Sequence, residues 1–353
     1  MSIEVKTVTG VERVLGINLY MEEQSFKFSS DGKFQYIGTV EIPSNVESLP
    51  NSEMGFKQHT ETTKLIIAPR DTTLTFNSYS CSGCTNLVDI EIPDGVNIVM
   101  SGGYEFQNCN SLTDEAVQRL IDHVTTFSRN RSFQYCTNIE EITVPDLSSG
   151  EACFANCTNL KKVTVTGGTA IGKGHFSGCT ALETVIVPDT VTYLGDSPFY
   201  NCTALTNFTF PDNLTKIDWN CFHNTGLVEV DLPATLTSLS NGSYPAFGDC
   251  TKLKKVTLRS QPSYNPGYWG SKTQNPFANC TAIEEFNIPE NWQYALNLSM
   301  TNNLTHDTLV SIITNLHDCT GETARALTIG ATNLAKLSEE EIAVATAKNW
   351  TVN

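Results

Sequence analysis

Phe199-Tyr-Asn-Cys202-Thr-Ala-Leu205-Thr-Asn-Phe208-Thr-Phe210-Pro211 is one copy of a phrase that decides the fold. Its first half, F-x-x-C-x-x-L, recurs at Phe106/Cys109/Leu112, Phe133/Cys136/Ile139, Phe154/Cys157/Leu160 and Phe176/Cys179/Leu182. It recurs again at Phe247/Cys250/Leu253 and Phe277/Cys280/Ile283, with a shortened copy at Phe222/Thr225/Leu227 and a partial one ending Cys84/Leu87. Cys157 and Cys179 are 22 residues apart, and Cys179 and Cys202 are 23 apart. A fixed period of this size is the signature of stacked supersecondary units. The second half, L-x-x-V-x-V-P in Leu182 to Pro188, places apolar side chains on one face of a short strand. Proline then ends the strand, because it has no N–H for a ladder.

One coil cannot bury its Phe, Leu and Val side chains alone, but a stack of coils forms a continuous core. The expected fold is a leucine-rich-repeat β-solenoid, elongated rather than divided into two globes. It has one short strand per coil of about 23 residues, a few inserted helices and a helical C-terminal cap. The Asn-Cys-Thr step before the leucine is a turn signal. The cysteine after it reads as a small buried apolar residue.

The unit from Phe199 to Pro211 resembles that of the BspA-type leucine-rich repeats, F-x-x-C-x-x-L-x-x-V-x-I-P. The resemblance covers residues 36 to 290. It implies a solenoid of the kind found in microbial surface and interaction proteins, and it leaves the ligand open.

Residues 1–35 lack the phrase and are expected to form an N-terminal cap or attachment segment, with strands at Val5–Val8 and Ser25–Phe28. The solenoid spans 36–297. Residues 298–353 form the C-terminal cap, which also resembles C-terminal segments of leucine-rich repeat proteins encoded by gut bacteria and their phages. Apolar spacing of i, i+3, i+4 and i+7 predicts a helix after Thr113 and another after Thr305. Both threonines suit an N-cap. The two helices are expected to replace loops on the outer side of the coils. Ser338 with Glu341 fits a capping box that opens a final helix, and Trp350 is placed to close the core.

The formal charge of −16 excludes a basic footprint for nucleic acid. No apolar run approaches the roughly 18 residues of a membrane helix, so no membrane insertion is expected. Met1-Ser-Ile-Glu-Val-Lys lacks the basic and apolar regions of a secretory signal. The chain is therefore expected to be made in the cytoplasm without a signal peptide.

The 12 cysteines form an even count that invites a disulfide reading. Eight of them, Cys84, Cys109, Cys136, Cys157, Cys179, Cys202, Cys250 and Cys280, share one repeat position. Equivalent residues of adjacent coils sit about 4.8 Å apart with parallel Cβ vectors. A disulfide needs converging Cβ atoms about 3.8 Å apart, so these thiols read as reduced packing residues. Cys81 and Cys84 make a C-x-x-C without the second pair that zinc requires. No metal or cofactor is expected.

No catalytic motif is present in the sequence. His175 lies near Cys179, but that cysteine belongs to the repeat column, and the pair reads as structural. The chain is expected not to be an enzyme. Outward strand positions such as Glu141/Thr143, Lys162/Thr164 and Glu229/Asp231 form a polar, mixed-sign face. That face reads either as a solvated surface or as a flat protein-binding one. One coil is lengthened between Leu258 and Phe277 and carries Tyr264, Tyr268 and Trp269. Insertions in repeat proteins often map to a binding face, so these rings are the candidate binding residues; the alternative is that they pack back on the coil edge. The expected function is a scaffold for a protein or cell-surface glycan partner. Homo-oligomerisation or assembly into a virion is a further possibility. The expected setting is a phage or prophage virion or host-recognition role, with a bacterial cell-surface adhesin as the alternative.

Overall fold

The residue before the repeat cysteine is the hinge of every coil. Asn108, Asn156, Asn201 and Asn279 all have φ of 60–62°, and Gly178 takes φ 77° at the same place. This left-handed region is costly for most side chains but open to Gly and tolerated by Asn. The sequence preference for Asn or Gly there is thus a backbone requirement. It turns the chain so that the cysteine points inward and the following leucine enters the core. Cys109, Cys157, Cys202 and their equivalents are fully buried, as are Leu112, Leu160, Leu205 and Leu253.

The computed structural model describes residues 10–14, 17–21, 25–28, 34–50, 56–240, 243–262 and 266–353, with side chains from Tyr36 onward. The strand expected at Val5–Val8 lies outside the described residues. Ser25–Phe28 is a strand, paired antiparallel to Phe34–Ile42.

The chain forms two compact units. One comprises residues 1–144, 149–163 and 178–180, and the other 145–148, 164–177 and 181–353.

Strands on the leading face follow the repeat leucine. They are β1 (Phe34–Ile42), β2 (Thr62–Ile67), β3 (Asp89–Glu91), β4 (Glu141–Val144), β5 (Lys162–Val165), β6 (Thr184–Ile186), β7 (Glu229–Leu232), β8 (Lys255–Leu258) and β9 (Glu285–Asn287). In the first unit β1, β2 and β3 pair in parallel. In the second, β7, β8 and β9 pair in parallel, with Val230, Val256 and Phe286 side by side and fully buried.

Each coil also carries a second parallel strand. Ser48–Leu49, Leu74–Phe76, Ile98–Met100 and Val124–Phe127 pair in the first unit. Ala170–Lys173, Tyr193–Leu194, Lys216–Ile217 and Ser238–Leu239 pair in the second. Four of these eight strands have only two residues, too short for an alternating pattern to register in the sequence.

The core of each unit is a stack of phenylalanines. Phe106, Phe133 and Phe154 lie nearly parallel at 5.6 and 5.4 Å. Phe176, Phe199, Phe222, Phe247 and Phe277 continue the pattern in the second unit at 5.1 to 5.9 Å. Such pairs contribute about 0.5–1.5 kcal/mol each beyond the area they bury. Cys81 stands where the phenylalanine of its copy belongs. Phe76, from the second strand, fills the vacated space and contacts Phe106 at 5.2 Å.

The helices form where expected. α1 (Asp114–His123) is capped by Thr113, which accepts from Ala116 N. α2 (His306–Asn315) is capped in the same way by Thr305. α3 (Ala331–Leu334) precedes α4 (Glu339–Ala347), which opens with the Ser338/Glu341 capping box. Trp350 is 2% exposed and donates from Nε1 to His317 O at 2.8 Å.

The position of α1 corrects one expectation. It does not replace an outer loop but takes the place of a leading-face strand, packing against β3 and β4. The reason is hydrogen-bond satisfaction. A helix cannot extend the ladder through its backbone, so its side chains do so instead. Asp114 accepts from Glu140 N and Glu141 N at 2.7 and 3.0 Å, and Gln118 Oε1 accepts from Thr143 N at 3.0 Å. Arg119 donates to Ile90 O on the other side and pairs with Asp89 at 2.8 Å. α2 sits against β9 in the equivalent position, with Thr305 N donating to Glu284 O.

Candidate interaction surface

The cysteine column is structural in its geometry. Each thiol donates to a backbone carbonyl of the preceding coil: Cys136 to Phe106 O (3.1 Å), Cys157 to Phe133 O (3.2 Å), Cys179 to Phe154 O (3.1 Å) and Cys202 to Phe176 O (3.2 Å). Cys84, Cys109, Cys250 and Cys280 make the same bond to Phe56, Cys81, Phe222 and Phe247. All twelve cysteines are unbridged and buried. Burial pushes the Cys136 and Cys179 thiols up to about 12, so neither is poised as a thiolate. Two coils replace the thiol. Thr225 turns its hydroxyl to Phe222 O at 3.0 Å, and His59 accepts from Tyr36 N at 3.0 Å through Nδ1. His175 is fully buried, so it lines no open site.

The lengthened coil folds Trp269 inward. Trp269 lies in a short 3-10 turn, Pro266–Gly270, and is 1% exposed. It meets Trp292 edge-on at 5.0 Å and Phe277 at 6.3 Å, and its indole N–H reaches Pro262 O at 3.4 Å. The phenylalanine stack ends at Phe277, and Trp269 packs on it with Trp292 against its other side. Trp269 is therefore a packing residue and offers no surface to a partner. Tyr268 is half-buried, and Tyr264 lies outside the described residues.

The outward positions of the leading face are tied into cross-strand ion pairs. Lys162 meets Glu141 at 3.1 Å, and Lys161 meets Glu140 at 2.6 Å. Lys255 bridges Glu229 and Glu285 at 3.3 and 3.8 Å, and Arg259 grips Asp231 with two bonds of 2.8 and 2.7 Å. Lys64 sits between Asp89 and Glu91. These groups are exposed, so each pair contributes only about 0–1 kcal/mol. Their effect is to fix side-chain positions on the leading strands of each unit.

One part of that face is open. Residues 207–210 occupy the strand position between β6 and β7 but form no strand. Phe208 stands where the other coils carry Val, Ile or, at Phe286, Phe, and Phe210 where they carry Val, Ile or Leu. Their rings wedge against Phe199, Phe222 and Phe247 at 4.9 to 6.1 Å. On the same side of β6, Val185 and Val187 are only half-buried and Ile186 is 49% exposed. A cleft of about 700 Å³ results, floored by Phe208 and Phe210 and walled by Asp212, Glu229, Asp231 and Arg259. Sequence reading missed it, although two phenylalanines in one strand tail were the signal.

A model of the BspA type leucine-rich repeat region matches in six copies, over residues 22–130, 51–179, 125–254 and 169–303. The chain belongs to the BspA-type leucine-rich repeat family. Among solved structures, a leucine-rich repeat protein from Bacteroides ovatus shares 19% identity with this BspA-type chain at a TM-score of 0.52. The match covers 81% of this chain and 86% of that one, and shows the common fold. A leucine-rich cell surface protein from Faecalibacterium prausnitzii matches at 18% identity, covering 95% and 94%, with a TM-score of 0.38. The T. pallidum leucine-rich repeat protein matches at 19% identity, covering 51% and 86%, with a TM-score of 0.37. No protein of curated function matches. No helix among the described residues is long and apolar enough to cross a membrane.

Proposed function

We propose that this BspA-type chain is a non-enzymatic scaffold that binds another protein through its leading face, in a bacterial cell-surface setting. One observation carries the reading. The face presents outward side chains on strands whose backbone is locked by the ladder, with Lys162, Lys255 and Arg259 each held in place by carboxylates. A pre-ordered surface loses little side-chain entropy on association. The surface setting rests on the family. The virion setting rests only on the looser C-terminal resemblance.

Binding of the labelled full chain to intact cells tests the activity. Trypsin treatment of the target cells is expected to abolish saturable binding, and periodate treatment to spare it. Loss on periodate treatment would move the partner to a glycan. Absence of saturable binding would remove the scaffold reading. Antibody labelling of intact source cells tests the setting, and recovery only in phage-sized particles would replace it.

A further inference from the structure

The leading strands are interrupted once in the first unit and twice in the second, and helices of the chain cover two of these three places. α1 stands between β3 and β4, and its Asp114 and Gln118 take up the N–H groups of Glu140, Glu141 and Thr143. α2 stands beside β9. At the third interruption, residues 207–210 run beside β7 without forming a strand, so the edge of β7 has no strand paired to it among the described residues. β7 pairs with β8 on one side, and β6 is likewise terminal in its sheet. Val228 N still donates to Thr206 O at 3.1 Å. Beyond that point no backbone hydrogen bond joins 207–210 to β7 among the described residues.

We propose that this cleft is the docking site for an extended peptide segment of a partner protein, with alternating basic and apolar residues. The inference rests on the scaffold reading above and adds the partner's chemistry. An open strand edge is a template for another strand, whose backbone supplies affinity while its alternate side chains supply specificity. In a strand added beside β7, inward residues lie on Phe208, which is half-buried, and on Phe210. Outward residues stand level with Glu229 and Asp231, both exposed. Opposite charges at such cross-strand positions attract. Asp212, Glu229, Asp231 and Glu285 outnumber Arg259 and Lys255 in and beside the cleft, so the surplus is acidic. A formal charge of −16 over the whole chain draws the same partner.

The test uses the full chain and a fluorescent seven-residue peptide of alternating Lys and Val, read by anisotropy. Saturable binding is expected. Replacing Lys by Glu, or N-methylating the central residues so that they cannot pair, is expected to weaken it at least roughly tenfold. The double variant Asp212→Lys, Glu229→Lys should lose binding to the same extent, while Glu339→Lys on α4 should not. Phe208→Val shrinks the apolar floor of the cleft while keeping a β-branched residue common at this repeat position, so it should lower peptide affinity and leave the fold intact. That variant keeps the idea testable should the charge reversals impair folding. Equal binding of the N-methylated peptide would reduce the site to bulk charge and overturn the proposal. So would absence of peptide binding, competition by a neutral oligosaccharide, or concentration-dependent dimerisation that displaces the peptide. Where the chain still binds trypsin-sensitive cell surfaces but not the peptide, the cleft assignment alone falls; loss of both removes the scaffold reading.

Discussion

The thiol of Cys202 donates to the carbonyl oxygen of Phe176, one coil earlier, at 3.2 Å. The same bond recurs in every coil that carries the repeat cysteine, so the column joins neighbouring coils through both packing and hydrogen bonding. Cys202→Ala deletes the sulfur from a fully buried site and leaves Phe176 O without that donor. The expected cost is about 1–2 kcal/mol, read as a lowered denaturation midpoint. A cost near zero would mean that the thiol fills space without linking coils. Native protein should also react slowly with thiol reagents even at pH 8, and all twelve thiols should become reactive after denaturation.

Glu105 predicts a pH dependence. Its side chain is fully buried, with Oε1 accepting from Gly103 N at 2.6 Å and Gly102 N at 3.1 Å. Oε2 has no hydrogen-bond partner of good geometry, although the Ser132 hydroxyl lies beside it. Burial raises the carboxyl above its ordinary value of 4.5, outweighing the opposing backbone bonds. The folded state then holds this proton more tightly than the unfolded state. Its contribution is fully present below pH 4.5 and is lost as pH rises from there through the raised folded value. Glu105→Gln keeps an oxygen for the two glycine N–H groups and carries no charge. It should be more stable than the wild type at pH 8, and the difference should vanish toward pH 4. Thermal melts across that range check it, and a larger advantage at acid pH would refute the sign.

The strength of α1 as a strand substitute rests on Asp114. Its carboxylate satisfies Glu140 N and Glu141 N together. Asp114→Ala should cost about 1–3 kcal/mol, because two N–H groups at the edge of β4 lose their acceptor. Asp114→Asn retains one acceptor oxygen and should cost less. Hydrogen exchange should show faster exchange at residues 140 and 141 in the alanine variant, with α1 itself unaffected. Unchanged exchange would mean that water already serves those groups.

The repeat architecture was legible because its causes are local. The Phe, Cys and Leu positions, the Asn that takes positive φ, the Thr113 and Thr305 caps and the Ser338/Glu341 box each act within a few residues. The second strand of each coil was not legible, since two residues such as Tyr193–Leu194 gain strand character only from the neighbouring coil. The role of α1 was also hidden. Its amphipathic spacing announces a helix, but only the distant N–H groups of Glu140 to Thr143 show what it replaces. The cleft lies over Phe208 and Phe210, whose rings reach Phe199, Phe222 and Phe247, contacts that an apolar-or-polar pattern does not reveal. The lengthened loop advertised aromatic rings without showing that the core beyond Phe277 needs a cover.

That last point yields a test that separates packing from recognition at the lengthened coil. Trp269 is 1% exposed between Phe277 and Trp292, whereas Tyr268 beside it is half-buried. Trp269→Ala should cost about 3–5 kcal/mol, because removing a buried indole leaves a cavity against Trp292. Trp269→Phe should recover much of that loss by refilling the volume, short of the indole N–H bond to Pro262 O. Tyr268→Ala should cost under about 1 kcal/mol, as expected for a residue outside the core. Denaturation midpoints of the three variants check the order. A Trp269→Ala protein as stable as the wild type would return that ring to the surface and reopen the loop as a binding element.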